Sequence, residues 1–396
     1  MIPHSAYKRF CEQRREAQQL RTLQDTQNLS DGSIIQDGRE LISFASNDYL
    51  GLSKHPHLIA RAQDFVAKYG TGSTASRLIT GNAPAYKEIE TRLAEGKGSE
   101  AALVFSSGYQ ANLTVMAALG DTNVIGKPVT ILADRLCHNS LLQGILLSDA
   151  RLVRFQHNDY DHLNDLLQLQ REKKTHCIIV SESVFGMDGD CADLQALVTL
   201  ADNYQAMLYI DEAHATGLFG PDGFGLTAEY KNQIDIVMGT FGKALGSFGA
   251  YIACSTILRD YLIQRCGGLI YTTALPPPVL GAIGAALELL PRLQNERAHV
   301  QQQSERLRAA LRHQGWDVGL SATQIIPIIL GTEQAATSLT EALREQGLFV
   351  PAIRPPTVPR GTSRLRLSLS AAHKASDIDH LIMVMAQQAE QLLKAA

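Results

Sequence analysis

The sequence has little of what marks several large classes of protein. Its 396 residues include six cysteines, none of them in a CxxC pair, which favours reduced cysteines over a disulfide framework or a zinc site. Only one tryptophan is present. No apolar run reaches the roughly 20 residues that a membrane-spanning helix needs, and the most apolar helix candidate, residues 279–290, carries Glu288.

Excess charge of either sign is also lacking. The chain has 36 basic and 40 acidic residues and a net charge of -4, which argues against nucleic acid as its main partner. No cluster of residues has metal-ligand spacing, so we predict no metal site. Residues 1–15 are polar and contain no apolar signal-peptide core, so we predict a cytoplasmic protein.

The chain is long enough for two domains around a sizeable core. From residue 84 to about residue 211 helical and strand patterns alternate, which is typical of a doubly wound α/β sheet. We predict an N-terminal helix and arm over residues 1–50, a large domain over residues 51–289, and a small C-terminal α+β domain over residues 290–396.

Residues 235–246 contain an apolar strand pattern that ends abruptly in glycine, threonine and glycine. Lys243 follows at once, in a loop of small residues. Between a strand end and close-packed glycines a lysine has little access to water, and the loss of hydration favours the free amine, which is a nucleophile. An ordinary surface lysine is the alternative that this stretch alone leaves open.

A second buried-strand pattern, residues 206–210, ends in Asp211. Open α/β sheets bind ligands at the carboxyl ends of their strands. A strand-end amine and a strand-end carboxylate are what a pyridoxal phosphate site requires: Lys243 would form the Schiff base, and Asp211 would hold the pyridine nitrogen protonated.

Six motifs occur together in order along the chain. They are SNDYLGL at residues 46–52, SGYQAN at 107–112, MDGD at 187–190, DEAH at 211–214, TFGK at 240–243 and IRPPTVP at 353–359. With these motifs the chain resembles, nearly end to end, the α-oxoamine synthases, which are fold-type I pyridoxal phosphate enzymes. The resemblance implies a mostly parallel seven-stranded sheet flanked by helices, a smaller C-terminal domain, and a homodimer.

The resemblance also assigns roles around the cofactor. Catalytic roles fall to Lys243, Asp211, His138 and His214, and of these His138 would stack on the pyridine ring. Gly108, Tyr109 and Thr240 would hold the phosphate. In such enzymes the segment that contains Thr272 and Thr273 reaches the phosphate site of the neighbouring subunit, so we assign Thr273 to cofactor binding.

At one position the chain departs from the family. Gly186 stands where family members usually have a serine, which removes one hydroxyl near O3′ of the cofactor. We expect His214 to cover part of that role.

The strand pattern at residues 364–369 places Arg364, Arg366 and Ser368 on one face. A buried arginine needs an anionic partner, and its planar fork fits a carboxylate. A structural salt bridge and a substrate carboxylate both satisfy this need. The resemblance implies that Arg366 binds the carboxylate of an amino acid. It also assigns Asn47, Thr357 and Arg21 to substrate binding. Arg21 lies in a predicted helix over residues 5–28 and would bind the acyl substrate.

The reaction that the resemblance implies is a decarboxylative condensation of L-alanine with pimeloyl-CoA or a pimeloyl-carrier protein, as in biotin biosynthesis. Lys243 would remove the Cα proton as the general base. Within the family, a 2-amino-3-ketobutyrate CoA ligase or another synthase that uses glycine or serine is the alternative. The DEAH letters at 211–214 also occur in helicase ATPases, but no GxxxxGK[ST] loop accompanies them here, so we reject that function.

Overall fold

The computed structural model describes residues 4–17 and 19–395, which form two compact units. The sheet unit consists of Asp48–Gly186 and Cys191–Ala298. The terminal unit consists of the described residues of Met1–Asn47, Met187–Asp190 and His299–Ala396. The N-terminal and C-terminal segments of the chain therefore belong to the same unit.

Fourteen strands are present among the described residues. In chain order they are β1 Thr26–Asn28, β2 Ser33–Gln36, β3 Arg39–Ser43, β4 Ala101–Phe105, β5 Val129–Asp134, β6 Arg151–Phe155, β7 His176–Glu182, β8 Met207–Asp211, β9 Ile236–Thr240, β10 Ala250–Cys254, β11 Ile325–Gly331, β12 Leu348–Phe349, β13 Ala352–Ile353 and β14 Ser363–Ser368.

The same residues form fourteen α-helices. These are α1 His4–Glu16, α2 Pro56–Tyr69, α3 Ala85–Lys97, α4 Gly108–Leu119, α5 Thr122–Ile125, α6 Asn139–Leu146, α7 Tyr160–Glu172, α8 Leu194–Tyr204, α9 Thr256–Arg265, α10 Gly267–Ile270, α11 Pro277–Leu289, α12 Gln294–His313, α13 Glu333–Glu345 and α14 Ala375–Ala395. None of the described helices combines the length and apolarity that crossing a bilayer demands.

A seven-stranded sheet, in the order β4-β10-β9-β8-β7-β5-β6, forms the centre of the sheet unit. Neighbouring strands from β9 to β6 pair in parallel, whereas β10 is antiparallel to both β4 and β9. The predicted α/β fold with a mostly parallel seven-stranded sheet is confirmed.

The central strands are apolar on both faces because helices cover both sides of the sheet. Adjacent residues of a strand face opposite sides, so Ile178 belongs to one buried cluster and Ile179 to the other. Helices α4, α6 and α9 supply the first cluster, through residues such as Val115, and helices α7 and α8 supply the second, through residues such as Leu163. Polar side chains are therefore confined to the strand ends, where they can meet.

The terminal unit contains two smaller sheets, with strand orders β1-β2-β3-β12 and β11-β14-β13. Strand β12 pairs in parallel with β3, and the Ser368 amide donates to the Phe44 carbonyl oxygen at 2.8 Å. Backbone hydrogen bonds thus join chain segments that lie about 300 residues apart in sequence, which explains why both chain ends belong to one unit.

The helix predicted over residues 5–28 is wrong in its second half. Helix α1 ends at Glu16, and β1 pairs antiparallel with β2. None of the residues of α1 is buried, so the helix gains no stability from packing. The segment that follows contains Thr22, Asp25 and Thr26, and these residue types favour other conformations.

Candidate active site

The loop that carries Lys243 is held closed by its own hydrogen bonds. Thr240, the last residue of β9, accepts from the Gly242 amide at 3.1 Å through its hydroxyl and donates to the Gly249 carbonyl at 2.9 Å. The Gly246 amide donates to the Lys243 carbonyl at 2.9 Å. Gly246 has φ +60°, and a Cβ there would lie 2.4 Å from the Ser53 amide nitrogen, so only glycine fits.

The amine of Lys243 meets the imidazole of His214. Lys243 Nζ lies 2.7 Å from His214 Nε2, and the other ring nitrogen of His214, Nδ1, lies 2.7 Å from the hydroxyl of Tyr49. Tyr49 is fully buried and His214 is 8% exposed. The three side chains form a continuous hydrogen-bonded chain that includes the lysine amine.

Asp211 is fixed at the end of β8 by two donors. Its Oδ2 accepts from Asn112 Nδ2 at 2.8 Å, and its Oδ1 accepts from the Ala213 amide at 2.8 Å. Asn112, on α4, is itself held by the Tyr209 hydroxyl, which donates to Asn112 Oδ1 at 2.7 Å. The carboxylate is 3% exposed, so its orientation is set by neighbours and not by water.

Glu182 is a second buried carboxyl group beside Asp211. The two residues are register partners in the parallel pair β7 and β8. Glu182 accepts a hydrogen bond from the His138 amide at 2.6 Å. Burial raises the pKa of the Glu182 carboxyl well above its usual value, the nearby Asp211 raises it further, and the charge of Lys243 lowers it. Two adjacent carboxyl groups do not both ionise readily, and the Glu182 carboxyl is the one whose pKa is raised.

His138 begins α6 as its N-cap. Its Nδ1 lies 2.7 Å from the Ser140 hydroxyl and accepts from the Ser140 amide at 3.3 Å. His138 reaches solvent, but its partial burial lowers the pKa of the imidazole. The Asp211 carboxylate raises this pKa, and the charge of Lys243 lowers it. The neutral form of the ring is therefore favoured at pH 7. The rings of His138 and Tyr109 are nearly perpendicular, with centroids 6.5 Å apart.

The predicted phosphate-binding residues surround the start of α4. Gly108 is its first residue, and the Ser107 hydroxyl caps the helix by accepting from the Gln110 amide at 3.2 Å. Backbone amides at such an N-terminus are suited to a phosphate group. Tyr109 is 47% exposed, and Thr273 is exposed and forms an isolated β-bridge with Ser76.

A buried ion pair supports the segment that contains Asp211 and His214. Lys97 Nζ donates to Glu212, which also accepts from the Thr227 amide at 3.0 Å and from its hydroxyl. Burial opposes the charge of Lys97, but the Glu212 carboxylate and the Tyr251 hydroxyl outweigh it and raise the pKa of Lys97. An ion pair enclosed in this way fixes the backbone between the two site residues.

The predicted substrate residues fall into two pairs in the terminal unit. Arg366 Nη1 donates to Asn47 Oδ1 at 3.2 Å and to the Ser368 hydroxyl at 2.7 Å, and Arg366 is 5% exposed. Arg21 donates to the Thr357 hydroxyl at 2.9 Å in an exposed position.

Arg364, on the same strand as Arg366, has a different environment. It forms an ion pair with Asp188 of the MDGD motif. The salt-bridge alternative considered for this strand therefore applies to Arg364.

Sequence reasoning missed Glu182 and Asn112. Glu182 ends an apolar strand pattern, as Asp211 does, so the same signal would have identified it. Asn112 belongs to the SGYQAN motif, but its contact with Asp211 joins residues 99 positions apart, and no local pattern reveals such a contact.

The residues of the sheet unit fit pyridoxal phosphate by the chemistry of their donor groups. One unit contains all the groups that the cofactor needs. They are an amine for the carbonyl carbon, a strand-end carboxylate for the ring nitrogen, an imidazole, and a helix N-terminus for the phosphate. Across the described ranges, no group of three or more His, Cys, Asp or Glu side chains is arranged to hold a metal ion.

Comparison with known proteins agrees with this donor set. Residues 39–384 match the family model described as aminotransferase class I and II. An 8-amino-7-oxononanoate synthase of Gluconacetobacter diazotrophicus is 50% identical over 365 residues, which cover 91% of this chain and 92% of that protein.

Two solved structures show the same fold. A serine palmitoyltransferase from S. paucimobilis, solved with a bound PLP–myriocin aldimine, has a TM-score of 0.92 and 28% identity, with all of both chains covered. The 8-amino-7-oxononanoate synthase of Francisella tularensis has a TM-score of 0.76 and 28% identity, over 89% of this chain and 99% of that chain.

The environments of Glu182 and Glu212 predict opposite effects of the same substitution. Glu182 keeps its proton in the folded protein at pH values where the unfolded chain loses it, so its contribution to stability declines as pH rises above about 4.5. Glu182→Gln cannot ionise and does not lose stability in this way. The difference between its melting temperature and that of wild type should therefore increase from pH 5 to pH 8. Each unit of pKa shift corresponds to about 1.4 kcal/mol of unfolding free energy.

The matched control is Glu212→Gln. It leaves the Lys97 ammonium buried without its carboxylate and should cost about 3–5 kcal/mol at pH 7. Calorimetric melting of both variants across this pH range measures the effects. Equal pH dependence of wild type and Glu182→Gln, or a Glu212→Gln variant of wild-type stability, contradicts these charge assignments.

Proposed function

The chain belongs to the aminotransferase class I and II family and, within it, to the 8-amino-7-oxononanoate synthases, and we propose that it joins L-alanine to a pimeloyl thioester. Carbon dioxide and the thiol carrier are released, and the amino-ketone is the product. The enzyme is a pyridoxal phosphate-dependent acyltransferase of biotin biosynthesis. Pimeloyl-CoA and a pimeloyl-carrier protein are both suitable acyl donors for this reaction.

The observation that carries the proposal is the placement of Lys243 and Asp211. Asp211 is the last residue of β8, and Lys243 follows the neighbouring parallel strand β9. His214, three residues after Asp211, contacts the lysine amine at 2.7 Å. The bound cofactor withdraws electrons from Cα of the amino acid and so stabilises negative charge there. Each protein group then has a separate task around that carbon.

Lys243 takes the Cα proton on its amine, which requires that the amine be neutral when the proton is transferred. Asp211, held by Asn112 and the Ala213 amide, keeps a negative charge at a fixed position, where it favours a protonated ring nitrogen. His138, which is neutral and held by Ser140, offers a flat apolar face. The amides at Gly108 and Tyr109 would bind the phosphate, joined by the Thr240 hydroxyl.

We assign the carboxylate of alanine to Arg366. In the terminal unit this side chain is oriented by the neutral groups of Asn47 and Ser368, which hold the guanidinium without cancelling its charge. A buried, preoriented guanidinium binds a carboxylate in a bidentate manner and fixes its direction.

We assign the distal carboxylate of the acyl chain to Arg21. This residue is exposed and rests on the Thr357 hydroxyl at 2.9 Å. A cation at the surface can meet an anionic chain end without the large desolvation cost of a buried charge.

We propose that the active form is a homodimer in which Thr273 of each subunit contributes to the phosphate site of the other. Large apolar side chains on the sheet unit are exposed, among them Tyr271 at 85% and Leu147 at 68%. Exposed apolar surface of this kind is typical of a protein interface. Light scattering of the active enzyme tests this assignment, and an active monomer contradicts it.

The choice of amino acid and acyl donor can be tested in one experiment. The enzyme with pyridoxal phosphate is offered L-alanine, glycine or L-serine, each with pimeloyl-CoA, acetyl-CoA or palmitoyl-CoA, and thiol release is measured. We expect the highest kcat/KM for alanine with pimeloyl-CoA, and mass spectrometry should identify 8-amino-7-oxononanoate. Faster turnover of glycine with acetyl-CoA would instead identify a 2-amino-3-ketobutyrate CoA ligase.

The role of Arg366 predicts a specific kinetic change. Arg366→Ala should raise the KM for alanine through the loss of about 2–5 kcal/mol of charge-assisted binding, which is at least a 30-fold effect. Arg364→Lys is the control on the same strand, because its partner is Asp188, and it should leave the KM for alanine near the wild-type value. An unchanged KM in Arg366→Ala would make Arg366 a structural residue.

A further inference from the structure

We propose that Tyr49 is a positioning residue that keeps the amine of Lys243 in its neutral form by fixing the tautomer of His214, and that Gly186 provides the space this arrangement needs. The inference rests on the proposed function, in which Lys243 bears the cofactor and acts as the base. It concerns Tyr49, to which the family motifs assign no task, and the glycine that replaces the usual serine at position 186.

The geometry favours Tyr49 as the donor to His214. The Tyr49 oxygen lies 2.7 Å from His214 Nδ1, a separation typical of an O–H donor and shorter than the usual 2.9–3.0 Å of an N–H···O bond. A phenol is also a better donor than a neutral imidazole N–H, and an imidazole nitrogen is a better acceptor than a phenol oxygen. Nδ1 therefore accepts, and the ring hydrogen lies on Nε2.

The consequence falls on Lys243. With its hydrogen on Nε2, His214 presents a donor to Lys243 Nζ at 2.7 Å. A neutral amine can accept this hydrogen bond through its lone pair, whereas an ammonium group has only donors. The Tyr49–His214 pair thus lowers the pKa of Lys243 by favouring the neutral form.

Gly186 is the residue that makes room for the imidazole. A Cβ at position 186 would lie 2.5 Å from His214 Nε2 and 3.0 Å from its Cδ2, which is closer than real contacts allow. Serine, the usual residue of the family, would meet the ring in the same way. The ring would have to move, and its Nε2 hydrogen would no longer face Lys243 Nζ.

Other charged groups around Lys243 act on its pKa as well. Glu182 and His138 each interact electrostatically with Lys243, and Asp211 interacts with both of them. A carboxylate at Asp211 favours the ammonium form of Lys243, while Glu182, whose pKa is raised by burial, ionises less readily. These groups are the same in wild type and in the variants below, so a difference between the proteins reports on His214.

The test measures the neutral fraction of Lys243 as a function of pH. Only the neutral amine captures the cofactor aldehyde, so the rate at which visible absorbance develops after pyridoxal phosphate is added to cofactor-free, full-length protein falls on the acid side. In Tyr49→Phe, His214 can carry its hydrogen on Nδ1 and accept from the lysine ammonium. The acid midpoint of Tyr49→Phe should therefore move to higher pH, by about one unit.

Three further variants separate this effect from general damage. Tyr261→Phe also removes a tyrosine hydrogen bond, a 2.6 Å contact to the Ala118 carbonyl, and its midpoint should match wild type. Gly186→Ala should shift the midpoint in the same direction as Tyr49→Phe. The double variant Tyr49→Phe/Gly186→Ala should shift no further than either single variant, because both act through His214.

The outcomes distinguish this inference from the proposed function. If the cofactor attaches to Lys243 and both Tyr49→Phe and Gly186→Ala titrate as wild type, the positioning role is overturned while the proposed function stands. A midpoint that moves to lower pH also overturns it, because Tyr49 would then accept from His214. Should Tyr49→Phe fail to fold, the shift in Gly186→Ala alone decides. Cα hydrogen exchange of alanine by the holoenzyme variants should show the same displacement of its acid limb.

Discussion

The structure of the sheet unit depends on one electrostatic constraint at the ends of two neighbouring parallel strands. A negatively charged carboxylate and a neutral amine must be maintained there. Asp211 is the last residue of β8, and Lys243, which is half-buried, follows β9. Both strands are almost entirely buried. Water compensates little of the charge of Asp211, which is 3% exposed, so the protein must supply its partners. The surrounding contacts follow from that constraint: Asn112 holds Asp211, His214 meets Lys243, and Glu182 carries a raised pKa.

The Lys97–Glu212 pair shows the same constraint one layer further out. Glu212 follows Asp211 in the chain, and its ion pair with Lys97 joins α3 to the segment that follows β8. A buried ion pair rarely adds much stability compared with apolar packing, but it tolerates little displacement. Here the ion pair fixes the position of the backbone that carries both Asp211 and His214.

Much of the fold could be predicted because local patterns determine it. Alternating strand and helix patterns predicted the parallel sheet, and the abrupt strand ends led to the prediction that Lys243 and Asp211 are site residues. The helix over residues 5–28 was wrong because polarity alone does not show where a helix lacks packing. Contacts between distant positions, such as Tyr49 with His214 across 165 residues, leave no local pattern. The space beside Gly186 could be recognised only after the ring of His214 was located.

The central claim is that Lys243 is the residue that bears pyridoxal phosphate. Reduction of the holoenzyme with borohydride, proteolysis and mass spectrometry locate the pyridoxyl group on one lysine. We expect the label on Lys243, and we expect that the same treatment of Lys243→Ala leaves no stoichiometric label. A label on Lys97 or any other lysine of the wild-type enzyme would contradict the assignment of this site.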